Sequence, residues 1–196
     1  MSIPKRVIIV HGWDYYPEDG WYPWLKKELE ARGFKVIVPR LPEPEAPRIQ
    51  NWVPVLAKAV GEINEQTYFV GHSLGCQTIA RYLESLPEGK MAGGVVFVAG
   101  FFKRLTNSGD DEEAQEIARH WLETPINLGR VRMHFKNSIA LFSDNDQSVS
   151  SDNQEDFKNL LGSKIVLEHQ KGHFDDCFDL PVALKAVLEL SGEKIV

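Results

Sequence analysis

Apolar residues in this chain gather into six short runs, at 7–10, 35–38, 67–70, 94–98, 139–142 and 164–167, rich in Val, Ile, Leu and Phe. They are nearly continuous rather than alternating with polar residues, the pattern of strands buried on both faces. Between them, apolar positions recur at helical spacing and predict helices near 22–32, 52–63, 76–86, 111–122, 152–161 and 181–190. Strands alternating with helices predict an α/β fold of three layers, with about six mostly parallel strands and helices on both faces. Gly33 is placed to stop the first helix. Thr124-Pro125 has the cap and first-turn pattern of a new helix, so residues 111–135 are expected to form two helical pieces. The proline-dense stretch 39–47 reads as a stiff surface connection, too short for a domain linker. Without repeats or low-complexity tracts, residues 1–196 are expected to make a single domain.

Composition narrows the class. A chain of 196 residues, 43% hydrophobic, can bury well over half of its unfolded surface and needs no covalent staples. Its net charge of −6, with scattered Lys and Arg, argues against nucleic-acid and anionic-membrane partners. The apolar run at 7–10 is too short for a signal segment or a span, so a cytoplasmic location is expected. Cys76 and Cys177 are too few for a disulfide framework and lack metal spacing; both are expected as free thiols, with room for them to be neighbours in space.

The candidate chemistry starts at Gly71-His72-Ser73-Leu74-Gly75, which follows a strand-like run and precedes a helix-like one. A serine on a sharp strand-to-helix turn, with glycines where side chains would collide with backbone, is the nucleophile elbow. A serine hydroxyl is a weak nucleophile, so a base and an orienting acid are required, and open α/β sheets place both after later strands. After the fifth run comes Ser143-Asp144-Asn145-Asp146, and after the sixth His169-Gln170-Lys171-Gly172-His173. The order Ser73, Asp146, His173 is that of α/β hydrolases. Asp144 competes with Asp146 for the acid; Asp146 is preferred because a position farther past the strand reaches the histidine more easily. His169 competes with His173, and the two mimic a metal pair, but a strand end and loop would not bring both rings to one side. No metal and no cofactor is expected.

An oxyanion hole would use the backbone N–H groups of Leu74 and of Trp13, the latter in the loop after the first strand. His11 and His72 are then expected to be buried structural hydrogen-bonders. Among the aromatics, Trp21 and Trp24 are expected in the core, while Tyr15, Tyr16, Phe101 and Phe102 are candidates to wall the substrate pocket. The span between Gly100 and Ser138 holds about two helices, too little for a large cap domain, so an open cleft for small or short-acyl esters is expected.

Several segments together resemble a known family. His11-Gly12-Trp13, Trp21-Tyr22-Pro23-Trp24-Leu25-Lys26-Lys27, Leu41-Pro42-x-Pro44 followed by Trp52, Gly71-His72-Ser73-Leu74-Gly75-Cys76 and Gly172-His173-Phe174 are similar to the small YdeN-like, retinoblastoma-binding protein 9-like serine hydrolases of the α/β-hydrolase superfamily. The resemblance implies a compact α/β-hydrolase fold without a large lid, a triad of Ser73, Asp146 and His173, and carboxylesterase-type action through an acyl-enzyme. It places the acid at the second Asp of a Ser-x-Asp-Asp-like loop; here Asn145 replaces the first Asp, and Ser150 stands where a proline is common. The protein partner of the animal member is not implied, since its binding motif is not visible. A catalytically weak hydrolase-fold binding protein is the alternative reading.

Overall fold

In a computed structural model, which describes residues 4–106 and 111–194, the side chains of β1 (Arg6–Val10) divide by parity: Val7 and Ile9 enter one apolar cluster, Ile8 and Val10 another. The same split runs through β3 (Thr67–His72), β4 (Ala92–Val98) and β5 (Phe135–Ser143), where Val70, Val96 and Leu141 face one layer and Phe69, Val95 and Ala140 the other. A strand covered on both sides has no polar face to show, which explains the unbroken apolar runs. With β2 (Lys35–Ile37) and β6 (Lys164–Glu168) the sheet has the order β2-β1-β3-β4-β5-β6, and every pairing is parallel.

On one side, α1 (Tyr22–Glu30) and α7 (Pro181–Ser191) bury Tyr22, Leu25, Leu29, Ala183 and Val187. On the other lie α2 (Ile49–Val60), α3 (Leu74–Glu84), α4 (Glu112–Glu123), α5 (Leu128–Arg132) and α6 (Asn153–Asn159), anchored by Trp52, Leu56, Ile79, Trp121, Val131 and Phe157. Parallel strands put all their carboxyl ends on one edge, and the loops after β1, β3, β4, β5 and β6 converge there.

Two sequence expectations need correction. α5 starts at Leu128, capped by Asn127, whose Oδ1 accepts the Arg130 N–H at 2.9 Å, and not at Thr124-Pro125. Thr124 is occupied in closing α4, its hydroxyl donating to the His120 carbonyl at 2.6 Å, while Arg81 takes the Pro125 carbonyl. The 39–47 segment is also more than a surface connection. Pro39, Leu41, Pro44 and Pro47 are buried, and the carbonyls of Pro42, Glu45 and Pro47 accept the indole N–H groups of Trp52, Trp13 and Trp121. Proline cannot donate, but its carbonyl accepts normally.

Among the described residues no helix is long and apolar enough to cross a membrane.

Candidate active site

Ser73 sits between the end of β3 and the first residue of α3 with φ 51° and ψ −118°, outside the regions non-glycine residues favour. The turn is possible only with glycines beside it. A Cβ at Gly75 would lie 2.3 Å from the Val10 carbonyl oxygen and 2.6 Å from that of His11, and one at Gly71 would meet Ile79 and the Cys76 nitrogen at under 3.0 Å. α3 therefore passes directly over the end of β1 and lifts the Ser73 hydroxyl off the sheet.

The structure brings Ser73, His173 and Asp146 into one chain. Ser73 Oγ lies 2.8 Å from His173 Nε2, and His173 Nδ1 lies 2.9 Å from Asp146 Oδ2. Facing a carboxylate, Nδ1 carries the proton and Nε2 is left to accept from the serine. The Asp146 side chain is 3% exposed. Burial pushes its pKa up, but the His173 hydrogen bond and the Val149 and Ser148 N–H groups outweigh that and hold it below the ordinary carboxylate value.

Asp144 is engaged elsewhere: it accepts from His169 Nδ1 and from the Gln170 N–H. These contacts belong to a regular lacing between two loops. Ser143 Oγ accepts the Lys171 N–H at 2.9 Å and donates to Asn145 Oδ1 at 2.8 Å, and Asn145 Oδ1 also accepts the Gly172 N–H at 2.8 Å. Four consecutive side chains, Ser143 to Asp146, thus hold five consecutive residues, His169 to His173. His169 and His173 go to different aspartates, and no group of three or more metal-ligating side chains forms among the described residues.

Leu74 opens α3, so its N–H is among those a helix leaves without an internal partner. Trp13 lies between two tethered amides: Gly12 N–H donates to Tyr22 Oη at 3.3 Å and Asp14 N–H to the Pro44 carbonyl at 2.7 Å. Trp13 and Leu74 border, with Ser73 and His173, a cavity of about 310 Å³. Of the four aromatics, Tyr15 and Phe101 line this cavity, whereas Tyr16 and Phe102 do not. Tyr16 is exposed beneath the Arg40 guanidinium, and Phe102 is buried against Phe157, their rings stacked at 4.6 Å. Within each pair of loop residues one side chain faces the cavity and the other turns away from it. Sequence reasoning missed Asp14, Leu105, Ala114, Ser148 and Asp175, which complete the wall. Ser148 and Asp175 were findable, each lying two residues beyond a site residue; Ala114 comes from α4 and carries no local signal.

His11 and His72 are buried and structural in their bonding. His11 Nε2 accepts the Leu41 N–H at 3.1 Å and Nδ1 donates to the Gly12 carbonyl. Trp21 is buried and Trp24 packs against the same cluster. Cys76 and Cys177 are free thiols in different clusters on opposite sides of the sheet. Burial pushes the Cys76 thiol well up, leaving it an inert core residue.

A parallel sheet clothed by helices, with a serine, histidine and aspartate linked at its carboxyl edge, defines an α/β hydrolase. The chain matches the serine hydrolase family over residues 7–178 and belongs to that family. It is 33% identical over 170 residues to YdeN of Bacillus subtilis (strain 168), covering 87% of this chain and 86% of that protein. The crystal structure of the B. subtilis ydeN gene product aligns with a TM-score of 0.87 at 27% identity, over 96% of this chain and 100% of that one. Est1E from Butyrivibrio proteoclasticus shares the fold, with a TM-score of 0.71 at 14% identity, over 97% of this chain and 89% of its own. The protein is an enzyme of the serine hydrolase type.

Proposed function

We propose that the protein is a carboxylesterase-type hydrolase of small or short-acyl esters, with Ser73 as nucleophile, His173 as general base and acid, and Asp146 as the residue that orients the imidazole. The observation carrying this reading is the unbroken chain from Asp146 through His173 to Ser73, with bonds of 2.9 and 2.8 Å, opening on an apolar-walled cavity. Ser73 Oγ attacks the ester carbonyl carbon as its proton passes to His173 Nε2, and the imidazolium is held by Asp146. The N–H groups of Leu74 and Trp13 receive the oxyanion. Collapse of the tetrahedral intermediate breaks the bond to the alcohol, which leaves with the proton from His173. Water, deprotonated by the same imidazole, then releases the acid and restores Ser73. Walls from Trp13, Tyr15, Phe101 and Leu105 favour an apolar acyl or alcohol group, and about 310 Å³ accommodates a small ester rather than a long lipid chain.

The test is labelling of Ser73 by a fluorophosphonate together with hydrolysis of p-nitrophenyl esters of increasing acyl length. We expect rapid labelling, a preference for short acyl groups, and a loss of about 10⁴-fold or more in turnover for Ser73→Ala without unfolding. Retained turnover in that variant, or an inert Ser73 in the wild type, overturns the assignment.

A further inference from the structure

Directly behind the site, His72 is fully buried and uses both ring nitrogens. Nε2 lies 2.8 Å from the backbone carbonyl of His173 and must donate to it; Nδ1 then accepts the Tyr22 hydroxyl at 2.7 Å. Tyr22 Oη in turn accepts the Gly12 N–H at 3.3 Å. One chain of three hydrogen bonds therefore joins the loop carrying Trp13 to the loop carrying His173. We propose that His72, held by Tyr22, is a positioning residue that sets the separation of these two loops, and with it the aim of the His173 imidazole at Ser73. This rests on the triad reading given above.

Packing alone does not account for an imidazole here. The ring is enclosed by Tyr15, Trp21 and Tyr22, with centroids 5.6 to 6.0 Å away, neighbours that would suit an apolar side chain, and it lies 5.1 Å from the His173 ring itself. A buried polar ring is costly unless its nitrogens are bonded, and these bond specifically to groups of the two site loops. The backbone after His173 also needs restraint. Phe174 has φ 60°, a conformation that persists in a non-glycine residue only when its surroundings over-determine it. His72 holds the His173 carbonyl, and Trp21 Nε1 holds the next one, Phe174, at 3.0 Å. The base is thus fixed from two directions, its side chain by Asp146 and its backbone by His72.

Substitutions separate the two halves of the relay. In His72→Gln the side-chain amide reaches the place of Nε2 and can still donate to the His173 carbonyl, whereas in His72→Asn it reaches only the place of Nδ1. Turnover of p-nitrophenyl acetate would be measured per fluorophosphonate-titrated site in both variants and in Tyr22→Phe, alongside the downfield proton resonance of His173 Nδ1–H and urea unfolding. We expect kcat to fall about 100-fold in His72→Asn, the scale of an ångström-sized misplacement, and about 10-fold in Tyr22→Phe, with KM within about 2-fold. His72→Gln should be at least about 10-fold more active than His72→Asn and should keep the downfield resonance that His72→Asn loses. Equal kcat in the Gln and Asn variants, or wild-type kcat in folded Tyr22→Phe, overturns the proposal. Should His72→Asn not fold, wild-type kcat and resonance in Tyr22→Phe would still do so. A wild-type Ser73 that does not label instead overturns the assigned chemistry, and the His173 resonance then still reports on the relay.

Discussion

Two aspartates two positions apart have opposite circumstances, and the difference is decisive at the scale of single residues. Asp146 is 3% exposed and faces His173, while Asp144 is 37% exposed and faces His169 at the rim. Residues of one loop two apart can both reach a histidine, and two histidines four apart were available. The choice is made by the lacing, which hands each aspartate its own partner. Asp146→Asn should keep the fold but permit the wrong imidazole tautomer, lowering kcat by about 10³- to 10⁴-fold. Asp144→Asn should leave kcat within about 3-fold, since an exposed pair contributes little. Steady-state kinetics on one p-nitrophenyl ester decides the point, and a reversed order of the two variants would move the acid to Asp144.

Elements were easier to read than the loops that join them. The four inner strands were visible because burial on both faces leaves mostly apolar residues, the partly exposed edge strands β2 and β6 were visible as short β-branched runs, and a parallel sheet requires intervening helices. The Ser73 turn was visible because Gly75 answers a backbone contact of 2.3 Å, and Gly71 contacts of 2.8 and 2.9 Å, that a side chain could not accommodate. What sequence did not disclose depends on tertiary pairing: that Thr124 would be spent on the helix before it, that the 39–47 carbonyls would receive three indoles, and that Ala114 of α4 would reach the cavity. Nor did it show that Asn145, a departure from the family pattern, has a positive role. Its amide oxygen accepts both the Gly172 N–H and the Ser143 hydroxyl, so the loops after β5 and β6 share it. Asn145→Ala removes both bonds, and because residue 145 is exposed water can take the place of its amide, so the loss of stability should be about 1 kcal/mol. Because Gly172 precedes His173, kcat should fall about 10-fold as well. Denaturant unfolding with parallel kinetics measures both, and a stability loss without a kinetic one would mean that the lacing supports the fold but not the base.

The whole molecule carries a pH dependence built from histidines that it buries neutral. Burial, with a smaller contribution from the neighbouring His173, lowers the His72 pKa from its ordinary value near 6.5 to about 3, and burial lowers that of His11 as well. Between those limits the unfolded chain holds a proton at residue 72 that the folded chain refuses. The unfolded state then binds more protons, so stability falls as pH falls from about 6.5 and stops falling on this account below about 3. For His72 the full window is worth on the order of 5 kcal/mol. Asp146 acts lower down: its pKa is depressed in the folded state, so its contribution is complete above the ordinary carboxylate range and is lost only as pH drops through the folded value. Urea midpoints at pH 7.5, 6, 5 and 4 should therefore decline well before any carboxylate protonates. Glutamine does not titrate, so His72→Gln should flatten the decline between pH 6 and 4, leaving the part due to His11. Parallel profiles for wild type and variant across that range would mean that residue 72 takes up no proton on unfolding, and that the buried imidazole is already charged in the folded protein.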